Sequence, residues 1–350
     1  MSKKKQCPVV GIRQTQPRVV KIVPVTGAVG DIKANSVTNQ VYFIHNENQV
    51  GVLNGLTNQL IGYVQVGKGA TFLAVNTRTN RIYTTNFRDN TVSVINGKTN
   101  RVITTVPVGV RPYGLGILKG SNRIYVANSN GTISIINGST NRVVKTLRVG
   151  GAPSLLGTNE RTKRIYVTNT ASDSVHVING QTQTVITTVK VGRNPIIAPG
   201  LNERTNRVYI GNNLSRYFSV INGSTNRKSI PIQIGHLQSE LAVNPLTNRI
   251  YVTSAQVEGR GRLIILSGQS NKALKTLQVP TFSSLLVNPQ TNHFFVGNTE
   301  NRNLYVYSGR TNTRIALLRV GQSAGNMTLN ARTNRLYIGN EGSITVVQDR

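Results

Sequence analysis

The stretch NTRTNRIYTTN at residues 76–86 decides the fold, because the chain repeats close relatives of it at a nearly fixed interval. These relatives are NERTNRVYIGN at 202–212, NPLTNRIYVTS at 244–254 and NARTNRLYIGN at 330–340. The Thr-Asn pair, or its equivalent, starts at Thr38, Thr79, Ser121, Thr162, Thr205, Thr247, Thr291 and Thr333. Successive starts are 41, 42, 41, 43, 42, 44 and 42 residues apart. A period of this size is the signature of a repeat architecture.

The second repeat shows which elements each unit contains. Four short runs are rich in β-branched and apolar residues: FLAVN at 72–76, RIYTTN at 81–86, TVSVI at 91–95 and RVITTVPV at 101–108. The segments between them carry turn residues, and Asn-Gly at 96–97 is among the strongest hairpin signals. Nothing in the unit has the 3.6-residue period of a helix. Each unit is therefore predicted to be an antiparallel four-stranded sheet, with strands A to D from the centre outwards.

Four-stranded units of about 42 residues are typical of β-propeller blades, so the predicted fold is all-β and a single β-propeller. Units begin near residues 31, 72, 114, 155, 198, 240, 284 and 326, which predicts eight four-stranded blades. The alternative is seven blades, with one unit outside the ring.

The two ends of the chain are predicted to meet. The last unit stops at SITVVQDR (343–350) without a D strand, whereas VKIVPVTG (20–27) resembles ITTVPVG (103–109). We therefore expect an N-terminal strand to close the ring as the outer strand of the last blade, which leaves no unpaired edge there. Residues 1–17 are predicted to be a basic flexible tail, and residues 18–350 the propeller.

The phrases RIYVTN (164–169), VHVING (175–180) and VITTVKVG (185–192), with RNP behind them, resemble the YVTN-family β-propeller repeat. The resemblance covers residues 18–350. It implies a propeller, in most members seven-bladed, and a family that includes surface-layer and periplasmic proteins. Some members are implicated in DNA binding, and most have no assigned enzyme activity.

Charge is the unusual feature of the composition: 41 Lys and Arg oppose 11 Asp and Glu, which gives a formal net charge of +30. Such a field attracts polyanions.

The single cysteine, Cys7, excludes an intramolecular disulfide. The first residues contain no apolar segment typical of a signal peptide. This favours a cytoplasmic location, whereas the family resemblance favours the cell or spore surface.

The predicted blades sort these charges onto two faces. The A–B and C–D turns lie on one face, where 22 Lys and Arg are opposed by Glu160 and Glu203, a balance of +20. The B–C and D–A loops, on the opposite face, hold 8 cations and 7 acids, a balance of +1. We therefore predict a polyanion site on the first face, formed by Arg81, Lys98, Arg101, Arg123, Arg142, Arg164, Arg207, Arg227, Arg249, Arg314 and Arg335.

The repeated arginine at the first residue of strand B has a second reading. Such an arginine can serve the fold, by bonding carbonyl groups or by lying along its own blade. Among polyanions, we favour nucleic acid bound through its backbone without sequence preference, because no helix is predicted that could enter a groove. The repeated tyrosines, such as Tyr83, are predicted to pack between blades rather than to stack on bases. The alternatives are an anionic surface polymer and an acidic protein partner.

The predicted function is non-enzymatic and needs no cofactor or metal. The four histidines, His45, His176, His236 and His293, fall in different blades without metal-ligand spacing, and no P-loop or nucleophile elbow is present. One alternative is a structural or adhesion protein of the cell or spore surface that binds anionic polymers or protein partners. The other is a small-ligand receptor or a lyase-type enzyme that uses the mouth of the central channel. Its predicted ligand residues are Phe72, Arg111, Tyr113, Arg193, His236 and Phe282.

Overall fold

The structure, a computed structural model, describes residues 16–229, 231–235, 237–255, 260–280 and 283–350. Within these ranges all regular structure is β-strand. No helix in the described part of the chain is long and apolar enough to cross a membrane. Residues 1–15, the greater part of the predicted tail, lie outside the described residues, so the tail stays a prediction.

One sheet has six strands and joins the two ends of the chain. Its strands are β1 (Arg18–Asn35), β2 (Gln40–His45), β3 (Gln49–Asn54), β4 (Gln59–Gln65), β29 (Met327–Asn330) and β30 (Arg335–Gln348). They are hydrogen-bonded in the order β29-β30-β1-β2-β3-β4.

The other six sheets have four strands each, hydrogen-bonded in chain order. The first three contain β5 (Ala70–Asn76), β6 (Arg81–Asn86), β7 (Thr91–Asn96), β8 (Arg101–Pro107), β9 (Pro112–Leu118), β10 (Arg123–Asn128), β11 (Thr132–Asn137), β12 (Arg142–Arg148), β13 (Pro153–Asn159), β14 (Arg164–Asn169), β15 (Ser174–Asn179) and β16 (Thr184–Lys190). The next three contain β17 (Gly200–Asn202), β18 (Arg207–Ile210), β19 (Tyr217–Asn222), β20 (Ile232–Gln233), β21 (Gln238–Asn244), β22 (Arg249–Ala255), β23 (Arg260–Ser267), β24 (Ala273–Pro280), β25 (Ser283–Asn288), β26 (His293–Asn298), β27 (Asn303–Ser308) and β28 (Thr313–Arg319).

The molecule is a single β-propeller with seven sheets, which is the alternative count, and the prediction of eight separate blades is not supported. The physical reason is strand β1, which continues through the segment where the sequence predicts a break between two strands. Its residues 18–28 pair with β30, and its residues 29–35 pair with β2. The first and last repeats therefore share one hydrogen-bonded sheet.

The ring is closed as expected at the chain ends. Residues 18–28 of β1 run antiparallel to residues 341–348 of β30, so the N-terminal strand covers the outer edge of the last repeat. The first strand of each sheet contacts the first strand of the next, and β29 contacts both β25 and β1. The first strands therefore line the centre of a closed ring.

The hydrophobic core lies between neighbouring sheets. Tyr83, Val92 and Val94 of one sheet, for example, form a cluster with Ile124 and Val126 of the next. Tyr42, Tyr83, Tyr125, Tyr166, Tyr209, Tyr251 and Tyr337 are all buried at the same strand position. This confirms the predicted packing role of the repeated tyrosine and excludes these rings as stacking surfaces for bases.

Candidate functional site

Backbone hydrogen bonds show which turns share a face. The N–H of Gly97, in a C–D turn, donates to the carbonyl of Asn80, in the A–B turn of the same sheet, at 3.0 Å. At the other end of that sheet, the N–H of Val108, at the start of the D–A connection, donates to the carbonyl of Asn90, in the B–C turn, also at 3.0 Å. We call the side formed by the A–B and C–D turns the turn face, and the other side the opposite face.

The two asparagines of the repeated phrase build the A–B turn and join it to the next repeat. Asn76 Oδ1 accepts bonds from the N–H of Arg78 (3.1 Å) and Thr79 (3.4 Å), as an Asx turn does. Asn80 has a φ of 50°, the left-handed region that asparagine tolerates well. The amide of Asn76 donates to Oδ1 of Asn122 in the next repeat at 2.9 Å.

This asparagine link recurs around the ring. The other pairs are Asn35–Asn80, Asn159–Asn206, Asn202–Asn248, Asn244–Asn292, Asn288–Asn334 and Asn330–Asn39. One junction differs, because Leu118 and Lys163 stand at the two asparagine positions. There the Glu160 carboxylate accepts from the N–H of Lys119 and pairs with Lys163 at 3.3 Å.

The arginine that begins strand B reaches the C–D turn of the next repeat around the ring in four repeats. Arg249 Nη1 donates to the carbonyl of Gly309 and, at 3.1 Å, to Asn312 Oδ1. Arg164, Arg207 and Arg335 make the equivalent bonds to Gly223, Gly268 and Gly55. These four arginines have a structural role: Arg164, Arg207 and Arg249 link adjacent sheets, and Arg335 links the last repeat to the first within the six-stranded sheet. Arg123 instead bonds the carbonyl of Ser121 in its own turn at 3.2 Å.

Hydrogen bonds to neutral carbonyls leave the positive charge of these arginines uncompensated. Of the 22 turn-face cations, all of them described, only Lys163 pairs with a described carboxylate, that of Glu160. The other predicted acid, Glu203, accepts a bond from the N–H of Glu160 at 3.0 Å. Exposed turn-face cations are Arg78, Lys98, Arg101, Lys119, Arg142, Arg161, Arg204, Arg227, Lys228, Lys272, Lys275, Arg310, Arg314 and Arg332.

The predicted polyanion residues thus fall into two groups. Lys98, Arg101, Arg142 and Arg227 are exposed on the turn face. Arg314 is also exposed and lies 5.8 Å from the ring centre of Tyr305. The strand-start arginines are half-buried, and most are committed to hydrogen bonds within the fold: Arg81, Arg123, Arg164, Arg207, Arg249 and Arg335. The exposed group forms the accessible part of the candidate polyanion surface.

A buried acid on the turn face was not identified from the sequence. Asp349 is fully buried and accepts bonds from Asn288 Nδ2 (2.7 Å) and from Thr291 Oγ1. It also pairs with His293 Nδ1 at 2.7 Å. His293 stands where six other repeats have the arginine, and Asp349 stands where the repeats have the glycine of the C–D turn. The two departures from the repeat therefore compensate each other.

The structure brings together only part of the predicted channel-mouth set. Phe72 and Tyr113 meet edge to face, with ring centres 4.8 Å apart. Arg111 instead lies over the ring of Phe87 at 5.9 Å, and Arg193 is exposed. His236 and Phe282 lie outside the described residues.

A cavity of about 270 Å³ lies at the ring centre. Its walls come from inner segments of several repeats and include Phe72, but not Arg111, Tyr113 or Arg193. Its charged residues Asp31 and Lys33 of β1 were not identified from the sequence. The third, Glu240, was counted among the seven acids of the B–C and D–A loops on the opposite face. Glu240 in fact belongs to inner strand β21, so its side chain lines the cavity rather than a loop.

Burial raises the pKa of the Glu240 carboxyl to about 7, while the nearby Lys33 ammonium acts in the opposite direction.

Among the described histidines, His176 is held by Asn169 Nδ2 at 3.0 Å and Thr188 Oγ1 at 2.9 Å. Burial lowers the pKa of that imidazole. The described residues contain no group of three His, Cys, Asp or Glu side chains that could hold a metal ion.

The fold places the chain in the class of β-propeller proteins. No family model matches the chain, and no curated protein is similar to it in sequence, so the YVTN resemblance stays a prediction. Similar solved structures include the computationally designed Ika8 protein, with a TM-score of 0.73 and 16% identity over 93% of this chain and 98% of that one.

Two further similar structures are named as enzymes. Hydrazine synthase of Kuenenia stuttgartiensis has a TM-score of 0.61 and 14% identity, over 79% of this chain and 94% of that chain. Dihydro-heme d1 dehydrogenase NirN, in complex with DHE, has a TM-score of 0.73 and 12% identity, over 85% of this chain and 68% of that chain. At these identities the likeness shows the propeller fold and nothing about activity.

Proposed function

We propose that this protein is a non-enzymatic scaffold that docks polyanions on its turn face, and that the preferred polyanion is a nucleic acid backbone. The exposed cations of the C–D turns make the first contact, and the strand-start arginines add positive potential behind them.

One observation carries the proposal: 22 cations share the turn face, and among them only Lys163 pairs with a described carboxylate. An arginine that serves only the fold does not require its surroundings to be free of acids. Clustering like charges costs folding free energy through repulsion, so a bound polyanion supplies the compensation that the face lacks.

The same geometry argues for backbone binding rather than sequence reading. The described residues contain no helix that could enter a major groove. The repeated tyrosines are buried between sheets, so they offer no stacking platform for single-stranded bases. Phosphate contacts from lysine and arginine position a nucleic acid without reading its sequence.

The test compares two variants with equal net charge. The turn-face variant carries Lys98→Gln, Arg101→Gln, Arg142→Gln and Arg227→Gln, whereas the opposite-face variant carries Lys68→Gln, Arg111→Gln, Arg193→Gln and Arg302→Gln. Fluorescence anisotropy at 50 mM salt measures binding to two 20-base-pair duplexes of unrelated sequence. We expect the turn-face variant to bind both duplexes at least ~10-fold more weakly, and the opposite-face variant to change less than ~3-fold.

Two results would overturn the proposal. One is the absence of binding by the wild-type protein at 50 mM salt, and the other is an equal loss in both variants. If the wild type binds a polyglycerol phosphate more tightly than the duplexes, the turn face still docks polyanions, but the preference for nucleic acid is wrong.

A further inference from the structure

The central cavity is separate from the turn-face cations used for docking. Its charged lining residues are Asp31, Lys33 and Glu240. The rest of the wall combines the polar residues Ser239, Ser284 and Asn326 with apolar side chains that include Phe72, Leu155 and Met327. The side chain of Lys33 is 43% exposed, so solvent reaches this part of the ring. A pocket with apolar walls and a few charged groups is the usual form of a small-ligand site.

The charges in the cavity do not balance. Asp31 is fully engaged, because its carboxylate accepts from the N–H groups of Ile32 and Leu73 and pairs with the Lys33 ammonium. The Glu240 carboxylate has no hydrogen-bond or ion-pair partner among the described residues. Its backbone is fixed, since its N–H donates to Thr253 Oγ1 at 3.0 Å. The ionised cavity therefore carries one uncompensated negative charge.

We propose that the central cavity binds a small organic amine, with the ammonium group on the Glu240 carboxylate and the hydrocarbon part against the apolar walls. An ammonium supplies the three N–H donors that a lone carboxylate can use. Phe72 also lines the cavity, and an aromatic ring beside the ligand favours a cation. An anionic ligand would instead have to compete with Asp31 for Lys33.

The titration of Glu240 supports this assignment. Burial raises its pKa to about 7, and the Lys33 ammonium opposes this effect only in part. A bound ammonium stabilises the charged form and so lowers that pKa, which means that binding near pH 6 releases a proton. Amine affinity is therefore expected to rise between pH 6 and pH 8.

Calorimetric titration with benzylammonium chloride in 150 mM salt tests the proposal, with benzyl alcohol and benzoate as the neutral and anionic probes of similar shape. The Debye length is then about 8 Å, which screens the distant turn-face cations. We expect benzylammonium to bind and Glu240→Gln to weaken it at least ~10-fold. Lys33→Gln should strengthen binding, because it removes the competing cation. Glu341→Gln on the opposite face serves as the matched control and should leave binding unchanged.

The proposal is overturned if benzylammonium gives no binding heat, if benzoate binds more tightly, or if Glu240→Gln has no effect. It fails or survives independently of polyanion docking, because the turn-face variant leaves every residue of the cavity intact.

Discussion

Replacing Arg249 by methionine tests whether the repeated arginine holds adjacent sheets together. The change keeps an apolar stem and removes the bonds from Arg249 Nη1 to the Gly309 carbonyl and to Asn312 Oδ1. Hydrogen bonds to a charged group contribute about 1.5–3 kcal/mol each. Arg249 is only half-buried, so solvent screening reduces the total loss to about 2 kcal/mol.

The magnitude converts into a measurable shift in melting temperature. Unfolding entropies of about 2.1 cal/mol/K per residue give about 0.7 kcal/mol/K for a propeller of this size, so 2 kcal/mol lowers the Tm by about 3 °C. Differential scanning calorimetry at one scan rate measures the shift. Arg310→Met is the matched control, because Arg310 is exposed beside the acceptor Gly309 and makes no side-chain bond with the described residues.

We expect Arg310→Met to shift the Tm by less than about 1 °C, because exposed sites without partners rarely matter for stability. It should nevertheless weaken duplex binding. Equal melting temperatures for wild type and Arg249→Met would refute the structural role assigned to the strand-start arginines.

Three further predictions concern the ring closure and the buried acids. Asp349→Ala removes the buried carboxylate that pairs with His293 and accepts from Asn288 and Thr291, and it should cost about 3–5 kcal/mol, seen as a Tm drop of at least ~4 °C; a drop under 1 °C would contradict the account. Deleting residues 2–28 should cause concentration-dependent aggregation in light scattering, because it uncovers the edge of β30, whereas deleting residues 2–15 should leave the protein monodisperse. Glu240 has a folded pKa of about 7 against an unfolded value near 4.5, so folding disfavours its charged form. The protein therefore loses stability as the pH rises from about 4.5 to about 7. The stability of Glu240→Gln relative to wild type should therefore grow by about 3 kcal/mol between pH 4 and pH 8.5 in urea unfolding, and a constant difference would contradict the raised pKa.

The strands and turns could be predicted from the sequence because their signals are local. RIYTTN at 81–86 coincides with β6, and the predicted strand at 101–108 differs from β8 (Arg101–Pro107) by one residue. The Asn-Gly turns and the Thr-Asn turns also lie where they were expected. The repeated tyrosine was correctly assigned to packing because a strand buried on both faces has no polar side.

The number of sheets could not be predicted from local sequence signals. Whether a chain continues as one strand from residue 18 to residue 35 depends on partners at the other end of the sequence, such as Glu341 opposite Ala28. The cavity could not be predicted from the sequence for a similar reason, since Asp31 and Glu240 come from repeats about 200 residues apart. The His293–Asp349 pair did leave a signal, because both residues replace the expected ones at positions that meet in space.

Salt dependence of duplex binding tests the central claim of turn-face docking most directly. Binding to about six phosphates predicts a slope of log K against log salt near −5, which corresponds to a roughly 10³-fold loss of affinity between 50 and 200 mM salt. The turn-face variant lacking Lys98, Arg101, Arg142 and Arg227 should have a shallower slope, by about 0.9 for each phosphate that it no longer neutralises, while the opposite-face variant keeps the wild-type slope. A wild-type slope near zero, or the same slope in both variants, would contradict polyanion docking on the turn face.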